Sequence, residues 1–244
     1  MKAIILAGGK GTRLRSVVSD VPKPMAPVDK RPFLEYVIGS LAAQGMREII
    51  LSVGHQKEII RSHFRDGSRL GVHISYSEED SPLGTGGAIR EAIRGTAGSR
   101  FLILNGDTFN RIDHVSMEAF HLSTGALLTI ALVMKRNAGR YGLVTMDEHR
   151  RIIGFSEKAC PGGGYINCGV YMAERAIVDL MPEGAFSLEK DLFPSLTGGA
   201  VYGYPGRHFF IDIGIPATYR YIDHHPALLR PFSPAREARN KELQ

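Results

Sequence analysis

Residues Ala3 to Leu6 form a short apolar run that passes without a spacer into Ala7-Gly8-Gly9-Lys10-Gly11-Thr12-Arg13-Leu14, and Pro22-Lys23-Pro24 follows shortly after. A short apolar run bounded by glycines reads as a buried strand, so the chain turns sharply where the strand ends. Glycines at 8, 9 and 11 let the backbone approach another group closely and point N–H donors at it, a geometry made for an anion. Arg13 and Lys23 add two positive charges to the same neighbourhood. Together these residues describe a site for the triphosphate of a nucleotide.

Spacing excludes two familiar phosphate loops. A Walker loop needs Gly, four residues and then Gly-Lys-Ser/Thr, whereas Gly11 is followed by Thr12-Arg13. The dinucleotide fingerprint Gly-x-Gly-x-x-Gly, counted from Gly9, would need glycine where Leu14 stands. The string G-G-x-G-T-R-L with K-P about ten residues on closely resembles the signature of the sugar-phosphate nucleotidyltransferases, the enzymes that make nucleotide sugars.

Composition narrows the field further. A chain of 244 residues with 43% hydrophobic residues suits one large α/β domain or two small ones. No apolar run reaches the length of a membrane span, and the N-terminus lacks the regions of a signal peptide. Two cysteines, Cys160 and Cys168, offer neither a disulfide framework nor a metal cage and read as reduced thiols of a cytoplasmic protein. The net charge of +5 lies partly in the tail, at Arg230, Arg236, Arg239 and Lys241. No basic stripe interleaved with aromatics accompanies it, so neither nucleic acid nor membrane is an expected partner.

Strand and helix patterns alternate through the first half. Residues 49–53 and 101–105 read as buried parallel strands. Leu34, Val37, Ile38 and Leu41 recur at helical spacing before Gly45, and a second helix over 56–65 places Ile59, Ile60 and Phe64 on one side. The alternation predicts a doubly wound, mainly parallel α/β sheet, whose ligands sit outside the carboxyl ends of its strands. The Gly8–Arg13 turn and Asn105-Gly106-Asp107 would both lie at that edge. The second half is richer in strands, at 127–134, 142–146, 152–156, 167–172, 200–204 and 208–213, with helices expected at 174–181, 187–193 and 216–225. No linker separates the halves. One domain over 1–230 is expected, with a lobe of about 1–115 for nucleotide, a strand-rich lobe of 116–230 for sugar, and a loose tail at 231–244.

Several further residues are candidates for chemistry. Asp107 follows a buried strand in Leu-Asn-Gly-Asp, where a carboxylate serves either as a turn former or as a ligand for Mg²⁺. Asp212 stands in the apolar run Phe-Phe-Ile-Asp-Ile-Gly, a costly place unless it is paired or metal-bound. Leu83-Gly84-Thr85-Gly86-Gly87-Ala88 opens a helix running on through Ile89 and Ile93; a glycine-rich helix start is an anion site or simply a loop and cap. Ser187 reads as the N-cap of an exposed Glu189-Lys190-Asp191 turn of architectural value. His55, His121 and His208 have no metal spacing and read as surface or supporting residues.

The resemblance spans roughly residues 1 to 225 and implies roles for these positions. The fold would be the Rossmann-like, glycosyltransferase-A-like one of the family. Nucleotide binding would fall to Leu6, Ala7, Gly8, Gly9, Gly11, Thr12, Arg13, Lys23, Gly84, Thr85 and Gly86. The acceptor sugar phosphate would meet Gly106, Tyr141, Gly142, Glu157, Lys158, Asn167 and Gly169. Asp107 and Asp212 would hold one Mg²⁺ together, and Arg13, Lys23, Asp107 and Lys158 would carry catalysis. The implied reaction joins a nucleoside triphosphate to a sugar 1-phosphate and releases pyrophosphate, in a monomer or small homo-oligomer. The stretch Arg13 to Val28, then Pro32-Phe33-Leu34-Glu35-Tyr36 and Pro82 to Ile89, most resembles the D-glycero-α-D-manno-heptose 1-phosphate guanylyltransferases, which use GTP and supply bacterial surface glycans. Relatives that use mannose, N-acetylmuramate or glucose 1-phosphate with GTP, UTP, dTTP or CTP share the pattern. A non-catalytic nucleotide-sugar sensor is the reading of another class; the presence of Arg13, Lys23 and both aspartates weighs against it. No single residue derives guanine over uracil.

Overall fold

Strand β1 (Lys2–Leu6) takes the middle of the sheet because its interior is apolar on both faces: Ala3, Ile4 and Ile5 are all fully buried. The computed structural model describes residues 1–9, 11–14, 16–136, 138–139, 141–156 and 163–231. In chain order the elements are β1, β2 (Pro27–Val28), β3 (Arg31–Pro32), α1 (Phe33–Ala43), β4 (Glu48–Val53), α2 (Lys57–Phe64), β5 (His73–Glu78), α3 (Gly84–Arg94), β6 (Arg100–Asn105), β7 (Thr108–Asn110), α4 (His114–Thr124), β8 (Leu128–Lys135), β9 (Leu143–Met146), β10 (Ile152–Ser156), β11 (Gly164–Glu174), β12 (Val201–Gly206), β13 (Phe210–Asp212) and α5 (Pro216–His224).

Strands β5, β4, β1 and β6 lie side by side in that order, all parallel. Leaving β1, the chain first builds outward on one side through β4 and β5 and then crosses to the other side for β6. The crevice at the carboxyl ends of β1 and β6 is therefore a topological switch point, where open α/β sheets receive ligands. Alternation along each strand sends Ala3, Ile5, Ile49, Leu51, Leu102 and Leu104 into one core and Ile4, Ile50, Phe101 and Ile103 into the other. Helix α1 covers the first core with Phe33, Leu34, Val37, Ile38 and Leu41, and α3 covers the second with Ile89, Ala92 and Ile93.

Beyond β6 the sheet becomes mixed. The long strand β11 runs antiparallel to β6 through Val170–Glu174 and antiparallel to β8 on its other side, and Ile166 bridges to β9. Strand β12 adds to β8 in parallel, and β10 pairs with β9. A separate two-stranded ladder joins β7 to β13 and sets Asp212 opposite Thr108. The expected doubly wound α/β sheet is thus present, with an antiparallel extension. Among the described residues no helix is long and apolar enough to cross a membrane.

Two expected helices differ. Residues Arg175–Leu180 form a 3₁₀ turn, and Leu188–Leu192 a π-type turn that passes into a 3₁₀ turn at Phe193–Leu196. Pro182 and Pro194 lack the N–H that a continuing helix would need, so neither segment lengthens into an α-helix. Helix α4 was not anticipated from periodicity, yet its ends are marked: Asp113 accepts hydrogen bonds from the N–H groups of Val115 and Ser116, and Gly125 closes it in the left-handed region. The expected tail beyond 231 and Cys160 lie outside the described residues.

The start of α4 carries a buried histidine. His114 is enclosed, its backbone N–H donates to Gln44 Oε1, and its Nδ1 has no partner among the described residues. Burial pushes its pKa down to about 4 from the ordinary 6.5. The unfolded chain therefore takes up this proton as pH falls below about 6.5, while the folded chain resists it, and stability drops between 6.5 and 4. His208, held down to about 4 by burial as well, adds to the same slope. We expect unfolding free energy, measured by urea titration from pH 8 to pH 5, to fall below about pH 6.5, and His114→Gln to flatten that fall by roughly one proton. An unchanged slope in the variant would mean that the folded ring takes up its proton as readily as the unfolded one.

Candidate active site at the switch point

The carboxyl ends of β1 and β6 open into a cleft of about 830 Å³, within the range of small-molecule sites. Its phosphate-facing candidates are those of the glycine loop: Leu6, Gly8, Gly9, Gly11 and Arg13 line it, as do Lys23 and Asp107. Among the described residues the loop is anchored toward β4. Ala7 donates to Ser52 O at 2.8 Å, and Gly8 O accepts the His55 N–H at 3.2 Å, so the backbone leaves β1 toward β4. Ala7 itself is buried beneath the cleft. Gly11 has φ +57°, and a Cβ there would stand 2.8 Å from Lys23 Cβ. A Cβ on Gly9 would meet nothing within 4 Å. Protein atoms thus demand glycine at 11, whereas Gly9 keeps space free for whatever enters.

On the far side of β1, Gly106 follows β6 and donates to Leu6 O at 2.9 Å; a Cβ on it would lie 2.7 Å from that oxygen. This close packing demands glycine, and it fixes Asp107 beside the loop. The carboxylate of Asp107 accepts a charge-assisted hydrogen bond from the Lys23 ammonium, whose side chain is only 10% exposed. The β7–β13 ladder then brings the second aspartate in: Ile213 N–H donates to Asp107 O at 3.0 Å. Asp212 is half-buried at the end of its strand, not sealed within an apolar run. It accepts from the Tyr141 hydroxyl and from Gly214 N–H at 2.9 Å. Tyr141, expected on the acceptor, thus points its hydroxyl at a carboxylate. Gly142 packs near Ser156 O and does not line the cleft.

The donor chemistry at Asp107 and Asp212 fits Mg²⁺. That ion keeps several waters and takes one or two carboxylates together with phosphate oxygens, so it needs no larger cage. Among the described residues no group of three or more His, Cys, Asp or Glu forms such a cage.

The opposite wall comes from the segment after β5. Sequence reading missed Glu79, Asp80 and Ser81, which line the cleft together with Pro82, His55 and Asn105. Glu79 N–H continues the sheet pattern by donating to Val53 O, and its carboxylate accepts from Leu83 N–H at 2.9 Å and the Ser52 hydroxyl at 3.4 Å. Helix α2 braces this wall. Lys57 reaches Glu78 at 2.9 Å and Asp80 at 3.8 Å, and Arg61 also pairs with Glu78, whose carboxyl is held low chiefly by the Lys57 hydrogen bond. A signal was available: an acidic pair, Glu78-Glu79, directly before the glycine-rich helix start.

That helix start is only partly open. Gly84 and Thr85 line the cleft, but Gly86 is buried and its N–H donates to Phe186 O at 3.0 Å. The donor expected to meet an anion is consumed by the protein. On β11, Asn167 Oδ1 accepts the Gly169 N–H and Asn167 Nδ2 donates to Tyr171; neither residue lines the cleft. Glu157, Lys158 and the Thr12 side chain lie outside the described residues.

The sequence matches the family described as nucleotidyl transferase over residues 2–216. The chain belongs to that family. This nucleotidyl transferase is 46% identical over 224 residues to the D-glycero-alpha-D-manno-heptose 1-phosphate guanylyltransferase of Aneurinibacillus thermoaerophilus, covering 90% of this chain and 96% of the relative. It is 40% identical to the enzyme of the same description from Campylobacter jejuni, over 91% of this chain and 98% of that one. Among solved structures, HddC from Yersinia pseudotuberculosis complexed with GMP-PN superposes with a TM-score of 0.83 at 34% identity, covering 92% of this nucleotidyl transferase and 98% of HddC.

The two loop glycines separate folding from binding. Gly11→Ala should cost roughly 1–2 kcal/mol for its left-handed backbone alone, read as a lower urea midpoint. Gly9→Ala should leave the midpoint unchanged and weaken nucleotide binding measured by calorimetry. Equal stability losses in both would show that Gly9 is a packing residue.

Proposed function

We propose that the protein transfers the guanylyl group of GTP to D-glycero-α-D-manno-heptose 1-phosphate, giving the GDP-sugar and pyrophosphate. The observation that carries the choice of base is Glu79. Its carboxylate is fixed by two protein donors and still faces the cleft with spare acceptor capacity. Guanine offers it two adjacent donors, the N1–H and the N2 amino group. Uracil and thymine offer one N–H flanked by carbonyl oxygens that a carboxylate repels. The relatives named above support the choice of sugar.

The attacking group is already an anion, so the reaction needs little from a base. A phosphate oxygen of the sugar 1-phosphate bonds to the α-phosphorus of GTP, and the bond from that phosphorus to the oxygen bridging to the β-phosphate breaks, with the electron pair leaving on pyrophosphate. The difficulty is assembling two polyanions in line, and charge placement meets it. Arg13, on the short turn Thr12–Leu14, is exposed at the cleft and free to grip the departing β- and γ-phosphates with its planar fork. Lys23 lies where it can hold oxygens at the reacting centre once it releases Asp107. Asp107 and Asp212 would hold Mg²⁺, which when bound neutralises phosphate charge as the α-phosphorus becomes five-coordinate. Lys158 would neutralise the incoming sugar phosphate, with Glu157 on the sugar hydroxyls.

Purified protein with Mg²⁺, five nucleoside triphosphates and heptose, mannose, glucose and N-acetylmuramate 1-phosphates should release pyrophosphate with GTP and the heptose phosphate. A different productive pair would replace the substrates and keep the chemistry; silence throughout, with nucleotide still bound, would favour a sensor. Lys23→Ala and Asp107→Ala should each lower turnover by ~100-fold or more with the fold intact. Glu79→Gln should lower kcat/KM for GTP by about 10–100-fold, the scale of a two-point base contact, and spare UTP; parallel losses for both would remove Glu79 as the base reader.

A further inference from the structure

Between the nucleotide wall of the cleft and strand β11 runs a continuous set of hydrogen bonds that the reaction as described does not use. At the cleft, Thr85 presents its hydroxyl away from the opening: it accepts Leu188 N–H at 2.9 Å and donates to Glu189 Oε2 at 2.9 Å. The same oxygen takes the Ser187 hydroxyl at 3.0 Å. The other, Glu189 Oε1, faces the Tyr171 hydroxyl at 3.5 Å. Tyr171 is fully buried, and burial, followed by the nearby Glu189 charge, raises its pKa well above the ordinary range, so the hydroxyl stays a donor. That hydroxyl accepts Asn167 Nδ2 at 2.9 Å, and Asn167 Oδ1 accepts Gly169 N–H at 2.8 Å. Gly169 has φ +68° and packs its backbone onto Asn105, which returns to the cleft floor.

Two features separate this set from ordinary packing. Glu189 has no ion-pair partner among the described residues; three hydroxyls hold its carboxylate in place. The set also joins segments distant in sequence: α3, which lines the cleft through Gly84 and Thr85, and β11, whose Gly169 packs on the cleft residue Asn105. The ladder of β11 with β8 shifts register between Asn167 and Tyr171, where the set crosses the strand, so the two arms of β11 are not locked to each other by regular pairing alone.

We infer that Glu189 is a positioning residue that couples the two substrate sites, setting Thr85 and the start of α3 on the nucleotide side against Tyr171 and Asn167 on the acceptor side. The inference rests on the proposed reaction and on the acceptor role that the family resemblance implies for Asn167 and Gly169. A carboxylate is suited to the task because both oxygens accept, so one rigid group fixes donors arriving from two directions. Filling one site orders one arm and lowers the cost of ordering the other, which makes the second substrate bind more tightly.

The test is a set of cross-effects in steady-state kinetics with GTP and the sugar 1-phosphate. Tyr171→Phe removes a hydroxyl on the acceptor side and should raise KM for GTP. Thr85→Val removes one on the nucleotide side and should raise KM for the sugar phosphate, each by about fivefold or more. In a Glu189→Ala background both cross-effects should vanish, and Glu189→Gln, which keeps shape and one acceptor, should restore part of them. Thermal unfolding run alongside separates this from mere loosening, which would lower Tm and shift both KM values whether or not Glu189 is present. If Glu189→Ala does not fold, the comparison is made in Glu189→Gln, where the cross-effects should shrink. Cross-effects absent in an active wild-type background, or unchanged by substitution of Glu189, overturn the coupling and leave the reaction standing. A wild-type protein inactive with every donor and acceptor overturns both.

Discussion

Parallel pairing of Lys2–Leu6 with Arg100–Asn105 is the constraint on which the site depends. The two strands end level with each other and the chain departs from them on opposite sides. After β1 it is drawn toward β4 by the hydrogen bonds of Ala7 and Gly8, and after β6 it is held to Leu6 by Gly106 before entering β7. A gap with backbone donors on one bank and a carboxylate on the other follows from that divergence. Both strands are buried in two cores at once, so the gap has a rigid floor. Precise placement of Lys23 against Asp107 is inherited from sheet geometry and owes little to the flexible side chains themselves.

Both aspartates hold hydrogen-bond donors before any ligand arrives. Lys23 neutralises Asp107, and the Tyr141 hydroxyl and Gly214 N–H satisfy Asp212. Two carboxylates this close to a switch point would otherwise repel each other and any incoming polyanion. These partners are hydrogen-bond donors rather than an apolar cover. The opposing wall is tied down from outside by Lys57 and Arg61 on α2, whose exposed pairs with Glu78 and Asp80 fix the direction in which Glu79 faces more than they stabilise the fold.

What was legible in the sequence was local. The glycine loop, the run of 101–105 ending at Asp107, and the helix of Leu34, Val37, Ile38 and Leu41 each announce themselves within about ten residues, because strand and helix periodicity act at that range. Glu79 and the commitments of Thr85 and Tyr141 were not legible, since each depends on a partner far along the chain: Ser52 for the first, then Glu189 and Asp212; Asn167 and Tyr171 are only four residues apart, but their pairing depends on the register shift within β11. At Gly86 and Gly106 the one-dimensional pattern does not show that tertiary neighbours, Phe186 and Leu6, exclude a side chain. The helices expected at 174–181 and 187–193 tightened or widened into other turns because nearby prolines withhold the donors that an α-helix would use.

The ladder between β7 and β13 carries a consequence for the order of events during synthesis. Asp107 leaves the ribosome long before Asp212, and among the described residues the strand that brings the second carboxylate into place pairs only with β7. Until that strand docks, a nascent chain holds the glycine loop, Lys23 and Asp107 and lacks the second acidic group facing them. Closure of one three-residue ladder therefore brings Asp212 up to Asp107 only once the residues of the parallel core and of β11 have all been synthesised.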